Sequence, residues 1–283
     1  MIKIITDSTN DLGKDLLQQL DIEVIPLLVN FSEESYFDGV DITTKELYEK
    51  VEKYNQLPKT AAVSIQKLID VFEKYVNEGY EIIYTGIGKS LSRTFENAYL
   101  AAQEVNPEKI HLVDSMNLST GIGLLLMKAA KYRDQGMSAA EIKAKLENDR
   151  HNVRAQFAVE TMDYLHKGGR CSGVTRLVGS VLKLKPIIQV REGKMGVGKL
   201  PRGKMVIALN TLLKQLEEDL PNLDKDVVVI THSLADESCA YLEAKLAELL
   251  GNDVPVISTN AGCVISSHCG KGTIGILYMV NGD

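Results

Sequence analysis

Short apolar runs alternate with stretches whose apolar residues recur every three or four positions over most of the chain. In the first half, the runs at 2–6, 23–29, 81–85 and 110–114 are expected strands. Between them, Leu12, Leu16 and Leu20, then Leu68, Ile69, Phe72 and Val76, mark one-sided helices. Two helix starts carry capping boxes, Thr43 with Glu46 and Ser138 with Glu141, while Gly79 and Gly136 stand where helices should stop. Strands separated by helices pair in parallel through crossovers, which predicts a doubly wound α/β domain. Pro26 cannot donate to a ladder and points to an edge strand.

The second half reads differently. A strand at 154–160 leads into a short helix ending at Gly168 and Gly169, and a further helix is expected over 174–184. Residues 186–191 and 194–200, joined by Glu192 and Gly193, have the pattern of a hairpin. A long helix at 206–220, strand 226–231, helix 237–250, strand 254–258 and final strand 274–280 complete a mixed α+β domain. The division falls near residue 155, giving domains 1–155 and 156–283. The fold class is α/β, a parallel N-terminal domain followed by a smaller mixed one.

Composition narrows the function. The 283 residues are 45% hydrophobic and 25% charged, with a formal net charge of −6. Such a chain has no electrostatic reason to seek nucleic acid or an anionic membrane surface, so neither is an expected partner. No apolar run approaches the roughly 18 residues needed to cross a bilayer, so stable membrane insertion is not expected. The opening MIKIITDSTND reads as a strand entering a turn, without the basic-then-apolar pattern of a signal peptide. The cysteines Cys171, Cys239, Cys263 and Cys269 form no C-x-x-C pair and have no histidine at metal-ligand spacing. Reduced thiols in the cytoplasm and no metal site are the expectation.

Two glycine-rich loops imitate phosphate loops. Gly86-Ile-Gly88-Lys89-Ser90 follows an expected strand, but the glycine that a P-loop requires is replaced by Ile83, and the dinucleotide fingerprint fails at Leu91. Gly270-Lys271-Gly272-Thr273 fails in the same way. Glycines permitting a tight strand-to-helix turn are the simpler reading, and no cofactor is expected. Ser92 and His268 could form a hydrolytic pair oriented by Asp7 or Asp114, yet no G-x-S-x-G elbow makes Ser92 nucleophilic.

Several polar clusters remain: Asp7-Ser8-Thr9-Asn10-Asp11 after the first strand, Thr60 to Ser64 between two helices, Gly88 to Thr94, and His268 in a glycine-flanked loop before the last strand. Their bland readings are a helix N-cap for the Asp7–Asp11 cluster, a cap for Ser64 and a satisfied polar residue for His268. In series with Tyr36-x-Asp38-Gly39-Val40-Asp41-Ile42, Val113-Asp114-Ser115, Gly168-Gly169-Arg170-x-Ser172, Lys185-Pro186 and His268-x-Gly270-x-Gly272-x-x-Gly275, they resemble the DegV family. The resemblance runs in order from residue 3 to about residue 279.

That resemblance implies a protein that encloses a long-chain fatty acid, is not itself an enzyme, and can serve as the lipid-presenting subunit of a fatty acid kinase. It assigns the carboxylate-binding residues to Thr60, Ser92 and His268, with accessory contacts at Thr94, Arg170 and Arg202. Hydroxyls and an imidazole can hold a buried carboxylate without adding a full charge to an apolar cavity. The pattern departs from the family at Arg93, Ala61, Val63 and Lys271, where glycine, serine, proline and proline are usual. Two rivals stay open at this point: a lipid-processing serine hydrolase using Ser92 and His268, and a module for a non-lipid acid.

Overall fold

A computed structural model describes residues 1–172 and 184–282. The chain begins β1 (Ile2–Asp7), α1 (Lys14–Gln19), β2 (Ile22–Ile25), β3 (Leu28–Phe31), β4 (Glu34–Phe37), α2 (Thr44–Tyr54), β5 (Lys59–Ala61) and α3 (Ile65–Asn77). It continues with β6 (Glu81–Gly86), α4 (Thr94–Val105), β7 (Ile110–Asp114), α5 (Thr120–Asp134) and α6 (Ala139–Asp149). Strands β2-β1-β6-β7 form a four-stranded sheet in which every pairing is parallel. Adjacent residues on its central strands enter opposite cores. Ile4 and Ile83 pack with α5, whereas Ile5 and Ile82 pack with α3 and α4. Both expected capping boxes are formed, and Gly79 and Gly136 adopt the positive φ that ends a helix cleanly.

Pro26 divides the strand expected at 23–29. Its first part, β2, is an edge of the parallel sheet; its second part, β3, leaves to become the centre of a small antiparallel sheet with β4 and β5. The linker at 60–64, expected only to join helices, thus begins within a strand. Ser64 is the cap it was expected to be, accepting from the Lys67 N–H at 3.3 Å.

The second half comprises β8 (Val153–Ala158), α7 (Asp163–Gly168), β9 (Cys171–Ser172), β10 (Ile187–Arg191), β11 (Lys194–Val197) and α8 (Met205–Asp219). It ends with β12 (Leu223–His232), α9 (Asp236–Leu250), β13 (Val256–Asn260), α10 (Cys263–Cys269) and β14 (Ile274–Val280). Its strands form one mixed seven-stranded sheet in the order β13-β12-β14-β8-β10-β11-β9. The hairpin at 192–193 is as expected, with positive φ at both turn residues. Residue 155 lies within β8. The helix expected over 174–184 falls outside the described residues, except that Leu184 makes a single bridge with Arg202.

Helix α5 lies between the two sheets and is buried along most of its length. Its sequence TGIGLLLMKAA is apolar all round because it has a sheet on either side. One continuous core therefore joins Ile4 and Ile83 of the first sheet to Phe157, Val229 and Leu277 of the second. Helices α8 and α9 cover the far face of the seven-stranded sheet. No helix among the described residues is long and apolar enough to cross a membrane.

Candidate ligand-binding site

Three separate elements bring Thr60, Ser92 and His268 to one cavity of about 220 Å³. Thr60 sits on β5, opposite Val29 in the small antiparallel sheet. Its Oγ1 lies 2.9 Å from Nε2 of His268. Ser92 occupies the turn between β6 and α4. That turn is tight because Asp7 reaches into it, its Oδ2 accepting from the Ile87 N–H at 2.8 Å. A Cβ on Gly86 would come within 2.1 Å of the same oxygen. The glycines that imitate a phosphate loop thus make room for a buried aspartate and for the neighbouring loop at residues 116–117. Ser92 Oγ pairs with Thr94 Oγ1 at 3.0 Å and accepts from the Thr94 N–H at 3.2 Å.

His268 lies in the last turn of α10, where the sequence suggested a loop. The start of this short helix is held by two carboxylates from the N-terminal half. Asp11 accepts from the Gly262 N–H at 2.8 Å and Asp38 from the Cys263 N–H at 2.7 Å. Carboxyl oxygens are good acceptors for the unpaired amides of a helix start. Burial pushes all three neighbouring carboxyls upward, that of Asp11 to about 8. The loop residues Asp11 and Asp38 escaped assignment as α10-holding groups because their partners lie 251 and 225 residues away.

Burial, reinforced by the positive charge of Arg170, lowers the His268 pKa to about 4. The imidazole is therefore neutral at physiological pH. Among the described residues its Nδ1 has no hydrogen-bond partner, and it faces Gly168, where a Cβ would come within 2.5 Å. Arg170 lines the cavity and donates to the Gly168 carbonyl at 2.6 Å. Thr94 is buried behind Ser92 and supports it. Arg202 is exposed and is not among the residues lining this cavity. Of the positions that depart from the family pattern, Ala61 and Arg93 line the cavity, Val63 is buried and Lys271 is exposed. Arg93 turns its guanidinium to Glu96 at 3.3 Å.

The hydrolytic arrangement does not assemble. Ser92 Oγ engages Thr94, His268 Nε2 engages Thr60, and among the described residues Nδ1 meets no carboxylate. Asp114 is occupied by the N–H groups of Lys89 and Met116, both at 3.1 Å.

Behind the polar group the lining is apolar, with Leu27, Ile87, Leu91, Leu118, Met195 and Ile265. Leu118, Ile265 and Cys269 also border a much smaller space of about 20 Å³ that reaches Phe157 and Leu277 between the sheets.

The two α/β halves thus enclose a mostly apolar cavity that two hydroxyls and a neutral imidazole also line. A family model described as "Uncharacterised protein, DegV family" matches residues 1–281. A DegV domain-containing protein of Clostridium acetobutylicum is 33% identical over 278 residues, covering 98% of each chain. A Thermus thermophilus DegV family protein, whose structure is described by its fatty acid binding, superposes with a TM-score of 0.91 at 30% identity, covering 99% of both chains. A fatty acid (stearic acid)-binding protein from Eubacterium ventriosum gives 0.86 at 28% identity, covering 99% of this chain and 98% of that one. The chain belongs to the DegV family.

Proposed function

We infer that the protein binds a long-chain fatty acid, with the carboxylate held by Thr60, Ser92 and His268 and the tail directed inward. The observation that carries this is the convergence of those three side chains on one cavity whose lining is mostly apolar. Solved relatives described as fatty acid-binding proteins support it. A cavity of about 220 Å³ is small for the ligand; sites for drug-sized molecules span roughly 300–1,000 Å³. The tail therefore extends past Leu118, Ile265 and Cys269 toward Phe157 and Leu277, widening the space that joins the two cavities. At about 0.8 kcal/mol per buried methylene, a sixteen-carbon chain gains on the order of 10 kcal/mol before the costs of association.

In the same reading the protein works in the cytoplasm and offers its bound carboxylate to a separate fatty acid kinase catalytic subunit. That subunit supplies ATP and magnesium, transferring the γ-phosphoryl group to a carboxylate oxygen to give acyl phosphate and ADP. The failed phosphate-loop spacings of this chain suit that division of labour. The first test is organic extraction of the purified protein followed by gas chromatography, with an even-numbered long-chain fatty acid expected. Repeated extractions without an acyl chain, together with no binding of added oleate or palmitate, would remove the central claim. The kinase step is tested by adding a catalytic subunit and ATP and trapping acyl phosphate with hydroxylamine. Trapped acyl hydroxamate that needs both proteins is expected; none formed from loaded protein would end the presenting role.

A further inference from the structure

The far face of the seven-stranded sheet changes character partway along its strands. On β8, Val153, Ala155 and Phe157 enter the core shared with α5, whereas Ala158 packs on the opposite, α8 side. Arg154 and Gln156 share that opposite face by strand periodicity. On β10, Ile187 belongs to the α8-side core, and Gln189 and Arg191 follow on the same face. Register sets Gln156 beside Gln189 and Arg154 beside Tyr278 of β14. Helix α8 brings Gln215, Glu218 and Asp219 over them, spaced for a single face. A layer that begins as hydrophobic core thus becomes polar and opens into a cleft of about 540 Å³.

Unpaired polar atoms collect there. Among the described residues, six buried side-chain polar atoms have no hydrogen-bond partner, and Gln156 Nε2, Gln215 Oε1 and Arg150 Nε all belong to residues lining this cleft. A fourth, His268 Nδ1, belongs to the cavity already described. Gln156 is only 5% exposed, so bulk water does not readily satisfy it. Buried polar groups without partners are uncommon, and a cluster of them around a cavity marks a place for a ligand. Arg150 is fixed by donating from Nη1 to the Asp114 carbonyl at 3.1 Å, which leaves Nε for another acceptor. Asp219 is already engaged by the Tyr278 hydroxyl at 2.8 Å.

The cleft carries both signs of charge. Arg150, Arg154 and Arg191 line it together with Glu192, Glu218 and Asp219, and Arg154 Nε lies 3.8 Å from Asp219. A simple anion would meet Glu218, and a simple cation would meet the arginines. We propose that this cleft is a second binding site, for a small zwitterion of the α-amino acid type. Its carboxylate accepts from Gln156 Nε2, Arg150 Nε and Arg191, and its ammonium donates to Gln215 Oε1 and Glu218. This site does not depend on the fatty acid reading.

The test is calorimetric titration of the full-length protein with each of the common L-amino acids, using acetate and methylammonium as controls. Saturable one-to-one binding of at least one amino acid is expected, with none for the controls. Gln156→Leu and Glu218→Ala should each weaken it roughly ten- to a hundredfold, the range for losing a hydrogen bond to a charged group. Neither residue lines the cavity at His268, and a cooperative thermal melt close to that of wild type reports that each variant is folded. Glu218 is exposed, which keeps the test available if Gln156→Leu fails to fold. The proposal fails if no amino acid binds, if binding survives Glu218→Ala unchanged, or if crystals soaked in the tightest binder hold only water at Gln156 Nε2.

Discussion

Asp38 Oδ1 accepts the backbone N–H of Cys263 at 2.7 Å, fastening the loop after β4 to the first turn of α10. Its Oδ2 accepts from Ser8 Oγ at 2.9 Å, so one carboxylate joins three distant segments. The same helix supplies Val264, Ile265, His268 and Cys269 to the cavity wall.

Replacing Asp38 by alanine strands the Cys263 amide and releases the helix. Leaving a buried amide without its acceptor costs about 1–3 kcal/mol, and fatty acid affinity should fall with it. Urea unfolding and ligand titration of the same samples check this. Asp38→Asn, which retains an acceptor oxygen, should recover part of both losses; equal behaviour of the two variants removes the helix-holding role.

Thr60→Ala and Ser92→Ala should each weaken fatty acid binding by about 1.5–3 kcal/mol while leaving the melting temperature nearly unchanged. Both side chains lie at the cavity rather than within a packed core. Affinities and thermal melts are measured side by side. Unchanged affinity in both variants puts the carboxylate elsewhere.

His268 gives the protein an acid-sensitive component. Its folded pKa, about 4, lies below the ordinary value of 6.5, so the unfolded chain takes up the proton first. The stability it contributes is present above pH 6.5 and is lost as pH falls toward 4. Urea titrations of ligand-free protein across that range should show a steeper decline for wild type than for His268→Gln. Bound fatty acid brings a carboxylate beside the ring and should raise its NMR titration midpoint. Parallel pH profiles for the two proteins show that the ring is not held neutral by burial.

Ser92 should resist an alkyl fluorophosphonate. Its hydroxyl is paired with Thr94, and the imidazole that could deprotonate it is paired with Thr60. Mass spectrometry of the Ser92 peptide is expected to show no adduct, in wild type and in His268→Ala alike. Stoichiometric labelling that needs His268 restores the hydrolase reading.

Local chemistry made some of these features readable from sequence and concealed others. Strands Ile110–Asp114 and Ile274–Val280 stand where expected because each is a short apolar run with clear limits. The capping boxes at Thr43 and Ser138 are complete within four residues and need no tertiary context. Helix α10 left no comparable signal. It is seven residues long, carries two adjacent serines, and takes its N-terminal acceptors from Asp11 and Asp38 instead of a neighbouring cap. Strand β5 is three residues long and is fixed by β3, whose departure from the parallel sheet at Pro26 is itself a tertiary event. Thr60, Ser92 and His268 are singled out in the sequence only by the order of motifs along the chain, and the fold places all three at one cavity. Their hydrogen bonds, and the neutral state of the imidazole, needed the fold.

Helix α5 has a thermodynamic consequence beyond the placement of the site. Its apolar residues are common to both sheets, so either half, parted from the other, exposes a flank of the same helix to water. What reads as two domains in topology should therefore melt as one. By the same reasoning, exchange of the proposed fatty acid should proceed through local side-chain opening near Leu118 and Ile265 and not by the halves swinging apart.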